Sequence, residues 1–327
     1  MKKVFKVLGG LILGLLTIVL LASLFISLRG IPSYDVAEIE FIADPSPEAL
    51  ERGMKLTMTL CANCHMNKKT GELTGTQMYD APKEFGTIYS PNITQDERFG
   101  IGEWTDGELL RLLRTGIKRD GKYAPPYMAK LPNMSDDDIN AIIAFLRSDH
   151  ELVKARPVAD RESEPSFLTK FLCTVEMKPF PMPDGPIAHP DTNDAIAYGR
   201  YLAVNLDCFS CHSADFKTND YLEPENSIGY FGGGNPTLDL EGNVIHTPNL
   251  TPDKESGIGR WTKVGFVEAV KYGQVEGRNA LQYPMTPFVH LSDTEVEAIY
   301  SYLMTIPPIK MNFDQNHSLV KKFCSSR

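Results

Sequence analysis

The pentapeptide Cys-x-x-Cys-His occurs twice in this chain, at residues 61–65 and at residues 208–212. Two thiols at this spacing can reach the two vinyl groups of one porphyrin, and the next residue places an imidazole beneath the iron. A lone Cys-x-x-Cys is also compatible with a redox dithiol or half of a zinc site, but the histidine in both copies favours haem attachment. The sequence therefore predicts two covalently bound c-type haems. The predicted attachment residues and proximal iron ligands are Cys61, Cys64 and His65, and Cys208, Cys211 and His212.

A second, longer repeat supports two similar domains. Residues 91–104, PNITQDERFGIGEW, align without a gap with residues 248–261, PNLTPDKESGIGRW, at an offset of 157. The two cysteine motifs differ by only 147, so the second copy has ten additional residues before its repeat block. The glycine run 232–234 lies in this insertion. No Walker lysine follows it, so a phosphate-binding site is not indicated and we expect an ordinary loop.

Helical patterns dominate both copies. Helices are predicted at roughly 46–60 and 192–206, near 105–116 and 262–273, and from serine caps at Ser135 and Ser292. Ser292 and Glu295 have the spacing of a capping box, in which each side chain bonds the other's backbone N–H. Ile299 and Leu303 then fall on one face, as a helix packed on a core requires.

The predicted fold class is all-α, with two tandem haem domains behind an N-terminal transmembrane helix. Between the domains lie seven prolines without a clear period, which predicts a partly extended linker packed on the surface. The expected division is an anchor at 1–30, domain one at 45–150, a linker at 151–190, domain two at 191–308 and a polar tail at 309–327.

The first residues have the character of a membrane anchor. Val7 to Leu28 is a run of 22 uncharged residues, and a helix of that length spans about 33 Å, enough for a bilayer core. A cleaved signal peptide is the alternative, but its apolar region would be shorter and end in a small-residue cleavage site. Lys2, Lys3 and Lys6 should remain cytoplasmic, which predicts an inner-membrane protein with its haem domains in the periplasm.

The charge beyond the anchor is strongly acidic, because all 42 acidic residues but only 30 of the 33 basic residues lie there. Nucleic acid is therefore not an expected partner. The acidity serves either solubility or docking to a positively charged redox partner.

The sixth iron ligand decides whether a haem transfers electrons or binds small molecules. Met128 and Met285 are equivalent by the offset of 157, and both lie in proline-containing loops, at 125–128 and 284–287. A thioether held by a stiff loop is a suitable axial ligand and raises the reduction potential relative to a second histidine. The sequence predicts the ligand pairs His65/Met128 and His212/Met285.

Other residues compete for this role. A methionine beside a helix is often a core residue rather than a ligand, and this alternative applies to Met128. Met134 and Met78 are then the other candidate ligands in domain one. His290 is the alternative in domain two, but its equivalent in domain one is Asn133, so a shared ligand design disfavours it.

Each copy resembles class I cytochrome c in the order of its haem motif, proline loop, tryptophan segment, methionine loop and C-terminal helix. The blocks PN[IL]T, GIG-x-WT and the Met loop followed by Ser-Asp are similar to the cytochrome subunits of bacterial membrane-bound alcohol and gluconate dehydrogenases. Those subunits usually carry three haem domains and this chain has two. The resemblance implies a redox partner such as a membrane-bound dehydrogenase or a terminal oxidase.

The resemblance also implies roles for four residues. Pro91 and Pro248 would supply the backbone carbonyl that accepts a hydrogen bond from the proximal histidine. Trp104 and Trp261 would offer an indole N–H to a haem propionate, or would simply pack in the core.

Two cysteines remain outside the motifs, Cys173 in the linker and Cys324 in the tail. In an oxidising compartment they either form a disulfide with each other or remain thiols that can pair between molecules.

Electron transfer is the leading functional hypothesis, since two haems with His/Met ligation leave no iron position open for a substrate. A dihaem peroxidase is the main alternative, but it requires one open iron, and the matching methionine loops disfavour such asymmetry. Haem-based gas sensing would require an output module that the sequence does not contain.

Overall fold

The computed structural model describes residues 2–79, 81–275, 277 and 280–310, and within them the fold is largely helical. Its α-helices are α1 (Lys2–Arg29), α2 (Pro47–Leu56), α3 (Ala62–His65), α4 (Asp106–Thr115), α5 (Asp136–Leu146), α6 (Phe167–Val175), α7 (Ala195–Asn205), α8 (Cys208–His212), α9 (Lys263–Tyr272) and α10 (Asp293–Leu303). A π-helical turn, Thr57–Cys61, joins α2 to α3. Short 3-10 turns occupy Lys83–Phe85, Phe216–Thr218 and Pro224–Asn226. The all-α prediction is confirmed.

Four short strands form two antiparallel pairs. Strand β1 (Gly86–Thr87) pairs with β2 (Glu164–Pro165), with Gly86 opposite Pro165. Strand β3 (Pro236–Leu238) pairs with β4 (Val244–His246), so the insertion predicted in domain two contains a hairpin.

Side-chain caps explain where the helices begin. Thr105 and Glu108 form a capping box on α4, and Ser292 and Glu295 form the predicted one on α10. Ser135 caps α5 through the backbone N–H of Asp138. The six predicted helices are therefore confirmed to within a few residues.

In each domain the helix before the haem motif crosses the last helix of that domain. Helix α2 packs on α5, and α7 packs on α10. The crossing depends on Gly53 and Gly199, because a Cβ atom at either position would lie 1.9 Å from the carbonyl oxygen of Ala141 or Ala298, respectively. Only glycine allows two helix backbones to approach this closely.

Two buried carboxylates lie where these crossed helices meet across the domain boundary. Asp138 at the start of α5 accepts hydrogen bonds from Arg52 Nε at 2.8 Å and from Tyr201 Oη of domain two at 2.6 Å. Asp138 and Glu295 are equivalent at the offset of 157.

Glu295 has the corresponding contacts from the other side. Its Oε1 accepts hydrogen bonds from Arg52 Nη1 at 2.8 Å and from Tyr198 Oη at 3.1 Å, and Lys55 Nζ lies 3.0 Å away. One arginine of domain one thus bonds both acids. Here the interdomain polar cluster denotes Arg52, Lys55, Asp138, Tyr198, Tyr201 and Glu295.

The linker differs from the expectation of a partly extended segment. It contributes β2 to a strand pair with domain one and then forms the nine-residue helix α6. The buried residues of α6 are Thr169 and Cys173, while four of its large apolar residues are exposed: Phe167, Leu168, Phe171 and Val175. Helix α6 is only nine residues long, and the linker around it is rich in proline and shows no clear period, so the sequence did not predict it.

Helix α1 is long and apolar enough to cross a membrane, with a mean hydropathy of 2.8 over its most apolar window. Almost all of it projects away from the protein, and Ile26 is its buried residue. Soon after α1 the chain joins domain one, because Tyr123 N donates to Pro32 O at 3.0 Å and Tyr34 N donates to Gly121 O at 2.9 Å.

Candidate haem-binding sites

The first Cys-x-x-Cys-His motif lies on the π turn and the short helix α3. Cys61 ends the turn, and Cys64 and His65 belong to α3. His65 is buried, and its Nδ1 lies 2.8 Å from the carbonyl oxygen of Pro91. Because a carbonyl can only accept, Nδ1 carries the proton, and Nε2 is the nitrogen with a lone pair for a metal.

The second motif reaches the same geometry by a different local route. Helix α7 ends at Asn205, and Asp207 then adopts a left-handed conformation with a φ of 61° before α8 begins. Aspartate tolerates this region better than most residues. His212 is buried, and its Nδ1 lies 2.9 Å from the carbonyl oxygen of Pro248.

Burial sets the protonation of these side chains. It lowers the pKa of His65 and of His212, partly offset by the proline carbonyls, so both imidazoles are neutral and suited to bind iron. Burial raises the pKa of the Cys61 and Cys208 thiols to about 12. The site that these residues form is apolar rather than one that ionises thiols.

Two glycines that the sequence analysis did not single out fix each histidine's backbone. Gly75 N donates to His65 O at 2.8 Å, and Gly233 N donates to His212 O at 2.7 Å. Both adopt positive φ, 81° and 71°, and a Cβ at Gly75 would lie 2.2 Å from Ser90 O. Their similar distance before Pro91 and Pro248 was the signal that could have identified them.

Asparagines in the repeat blocks hold the segments that carry these prolines. Asn92 is buried and accepts from Thr94 N at 2.9 Å while its Nδ2 donates to Arg156 O at 2.9 Å. Asn249 accepts from Thr251 N at 2.8 Å in the same way. Through these hydrogen bonds to the backbone, the two asparagines fix the segments that contain the Pro91 and Pro248 carbonyls.

The loops that carry Met128 and Met285 are bounded by equivalent backbone hydrogen bonds. We define the Met loops as residues 124–131 and 281–288. At their first ends Ala124 N donates to Gly116 O and Leu281 N donates to Gly273 O, both at 2.7 Å; at their last ends Leu131 N donates to Leu113 O at 2.7 Å and Phe288 N donates to Val270 O at 2.8 Å. Met128 and Met285 are both half-buried at matching positions in these loops.

The alternative candidates for the sixth iron ligand differ in how deeply they are buried. Met134 is fully buried in the hydrophobic core, where its equivalent Leu291 is also buried. Met78 is half-buried, and His290 is exposed. Asn133 donates from Nδ2 to Tyr221 O at 2.8 Å. These placements favour Met128 and Met285 as the axial sulfurs.

Trp104 and Trp261 are half-buried against the core, and residues in or directly after the last helix of each domain bond to their backbone carbonyls. The Arg147 guanidinium donates to Trp104 O, and Tyr300 Oη donates to Trp261 O at 2.8 Å. Cys173 is buried in α6, whereas Cys324 lies outside the described residues, so the predicted disulfide stays a prediction.

The side chains of both sites fit a covalently bound haem. Each site has two cysteines that are separated by two residues and form no disulfide. Beside them lies a buried neutral imidazole whose Nδ1 donates to a proline carbonyl. This donor set supplies two thioether sulfurs and one nitrogen ligand from a single short segment. The residues that would hold the groups are Cys61, Cys64 and His65, and Cys208, Cys211 and His212.

A family model described as Cytochrome c matches residues 50–149 and 196–307. The chain belongs to the cytochrome c family. It has two cytochrome c domains and carries two covalently bound haem c groups, as the sequence predicted.

This cytochrome is similar to the following proteins. The fructose dehydrogenase cytochrome subunit of Gluconobacter japonicus is 28% identical over 81% of this chain and 55% of its own length. The cytochrome c subunit of the quinone alcohol dehydrogenase of Gluconacetobacter polyoxogenes is 28% identical over 76% and 54%. A "diheme cytochrome c-type" protein of Cereibacter sphaeroides is 28% identical over 76% and 83%. The chain thus spans about half the length of the dehydrogenase subunits it matches.

Proposed function

We propose that this cytochrome is a membrane-anchored, periplasmic electron carrier that relays electrons between a respiratory or dehydrogenase donor and a downstream acceptor. The observation that carries the proposal is the pair of buried histidines, each held at Nδ1 by a proline carbonyl and at its own carbonyl by a glycine amide. Haem c supplies reversible one-electron transfer at its iron. The protein's contribution is to fix the ligands and exclude water.

The proposed axial pairs are His65 with Met128 and His212 with Met285. Equivalent hydrogen bonds hold the ends of both Met loops, so the two loops begin and end at equivalent positions of their domains. Two ligands from the protein close both faces of an iron and favour electron transfer over substrate binding. The roles of Pro91 and Pro248 in orienting the histidines, and of Trp104 and Trp261 toward propionates, belong to this proposal.

The arrangement of the domains supports a relay in series. Thr286, next to Met285, lies against the first haem motif, with its Oγ1 3.4 Å from Asn63 Oδ1. On the other side, Ala129, next to Met128, and Phe209 of the second motif line one small cavity between the domains. Each Met loop therefore lies beside the other domain's haem-attachment segment, which gives electrons a short route through protein.

Anchoring and partners complete the proposal. The lysines at positions 2, 3 and 6 precede the apolar run of α1, and the positive-inside rule then orients the cytochrome domains toward the periplasm of the inner membrane. The named relatives are subunits of dehydrogenases, so a membrane-bound dehydrogenase or a terminal oxidase is the proposed class of redox partner. Purification from native membranes with mild detergent tests the partner, and N-terminal peptide mapping tests the retained anchor.

The ligand assignment is tested by the variants Met128→Ala and Met285→Ala. Each should open one iron, lower that haem's reduction potential and admit carbon monoxide, because the thioether that blocked the site and favoured the ferrous state is removed. Redox titration and carbon monoxide difference spectra measure both effects.

Met134→Leu is the matched control, since Leu291 occupies the equivalent core position in domain two. It should leave the potentials and the carbon monoxide resistance unchanged. Native reduced protein that binds carbon monoxide at one haem and consumes hydrogen peroxide at an enzymatic rate would overturn the carrier proposal in favour of a peroxidase.

A further inference from the structure

Helix α6 exposes a continuous apolar face. Its large exposed side chains are Phe167 (45% exposed), Leu168 (42%), Phe171 (39%) and Val175 (51%). At about 100° per residue these positions share one side of the helix. The rings of Phe167 and Phe171 stack with their centroids 6.2 Å apart. Clustered large apolar residues on a surface mark a binding site rather than scattered exposure.

The opposite face of α6 is fixed to domain one. Thr169 Oγ1 donates to Phe85 O at 2.8 Å, and Ser166, the N-cap, follows directly after the β1–β2 strand pair. Cys173 is fully buried on this side. The orientation of α6 is therefore set by domain one, and the apolar face is held outward.

Helix α6 also contacts the end of the apolar helix α1. The two helices pack together, and Ile26, one turn before the end of α1, is the buried residue of that helix. The chain joins domain one at Pro32, three residues after α1 ends. A bilayer-length helix leaves the hydrocarbon region near its end, so the anchoring proposed above would place α6 at the level of the membrane surface.

We propose that α6 is an interfacial membrane helix whose apolar face inserts at the headgroup boundary of the bilayer that α1 crosses. The proposal rests on the membrane anchoring proposed above. An amphipathic helix in this position buries its apolar face at the headgroup and acyl boundary while its other face contacts protein. Two attachments, α1 and α6, then fix the orientation of domain one relative to the membrane, which a single anchor helix would leave free to rotate.

Site-specific photocrosslinking in full-length holoprotein tests this. The photoreactive residue p-benzoyl-phenylalanine is placed at Phe171 or, separately, at Val175, and the protein is reconstituted in nanodiscs of phosphatidylethanolamine and phosphatidylglycerol. Both are exposed positions, and an unchanged haem spectrum verifies folding. Illumination should give lipid-mass adducts on the peptide that contains α6.

The matched control carries the same residue at Val264, which is 66% exposed on α9 of domain two and should give no lipid adduct. Equal labelling at Val264 would overturn the proposal, because contact would then be nonspecific. Crosslinks from Phe171 to protein instead of lipid would also overturn it, in favour of a protein partner.

Peptide mapping of the same nanodiscs separates this inference from the anchor on which it rests. Retention of residues 2–29 without a lipid adduct at either α6 position contradicts the interfacial helix alone. Loss of residues 2–29, with the protein no longer in the nanodisc, contradicts both the anchor and the interfacial helix.

Discussion

The two cytochrome c domains hold their histidines by the same bonds but connect them differently to the preceding helix. In domain one α2 continues through a π turn into α3, whereas in domain two α7 ends and Asp207, with a positive φ, separates it from α8. Beyond this junction the proline carbonyl and the glycine amide return to equivalent positions. The comparison shows that ligand geometry depends on contacts after the motif and tolerates a change before it.

The domains also differ in the residue that precedes the first cysteine of the haem motif. At the offset of 147, Leu60 in domain one corresponds to Asp207 in domain two. Burial raises the pKa of Asp207 to about 7. An ionisable group tunes the potential of a nearby redox centre, so we expect the two haems to differ in potential although their proposed ligands are the same.

The helix crossings should be equally sensitive in both domains and give the largest effect on stability. Gly53→Ala and Gly199→Ala each place a methyl group against a helix carbonyl at 1.9 Å, and we expect at least about 3 kcal/mol of lost unfolding free energy. Denaturant unfolding of the holoprotein measures it. Gly185→Ala is the control, since no atom lies within 4 Å of its added Cβ. Unequal losses would break the equivalence of the crossings.

The interdomain polar cluster should give the next largest effect. Arg52→Met leaves Asp138 with its tyrosine and Glu295 with Lys55 and Tyr198, and we expect a loss of about 2–4 kcal/mol because a buried carboxylate loses its cation. Arg200→Met is the control, since it breaks the exposed Arg200–Glu225 pair, which should contribute less than about 1 kcal/mol. If both variants unfold alike, the cluster does not hold the domains together.

Acid should weaken the same cluster. Burial disfavours the Glu295 carboxylate, but the Ser292 backbone N–H together with Lys55 and Arg52 outweighs this and lowers its pKa. An acid whose folded pKa is depressed contributes stability above its unfolded pKa, and that contribution is lost as pH falls through the folded value. The difference in stability between wild type and Glu295→Gln should therefore shrink below about pH 4.

Asp207 should give the smallest effect, and one confined to domain two. Its raised pKa means that the contribution of the protonated carboxyl to stability is complete below the unfolded pKa and is lost as pH rises through about 7. Asp207→Asn, which also tolerates positive φ, should remove this loss and stabilise the protein at pH 8 by on the order of 1 kcal/mol. Thermal unfolding of both proteins at pH 5 and pH 8 measures it. Wild-type stability that is constant over this range would contradict the prediction.

The sequence by itself predicted what depends on neighbouring residues. The cysteine and histidine spacing determines a haem c site because one short segment must supply both thioethers and a ligand. The capping box at Ser292 and Glu295 is equally local, and it located the start of α10. The repeat then related the two halves, including Met128 and Met285.

Only the tertiary structure decided the contacts between distant residues. Arg52 and Glu295 are 243 positions apart, and no local pattern indicates that one arginine bonds equivalent acids in both domains. Gly75 and Gly233 acquire their roles from carbonyls that approach them in space. The outward apolar face of α6 was hidden for the same reason, because the buried side of this helix is set by the domain that packs against it.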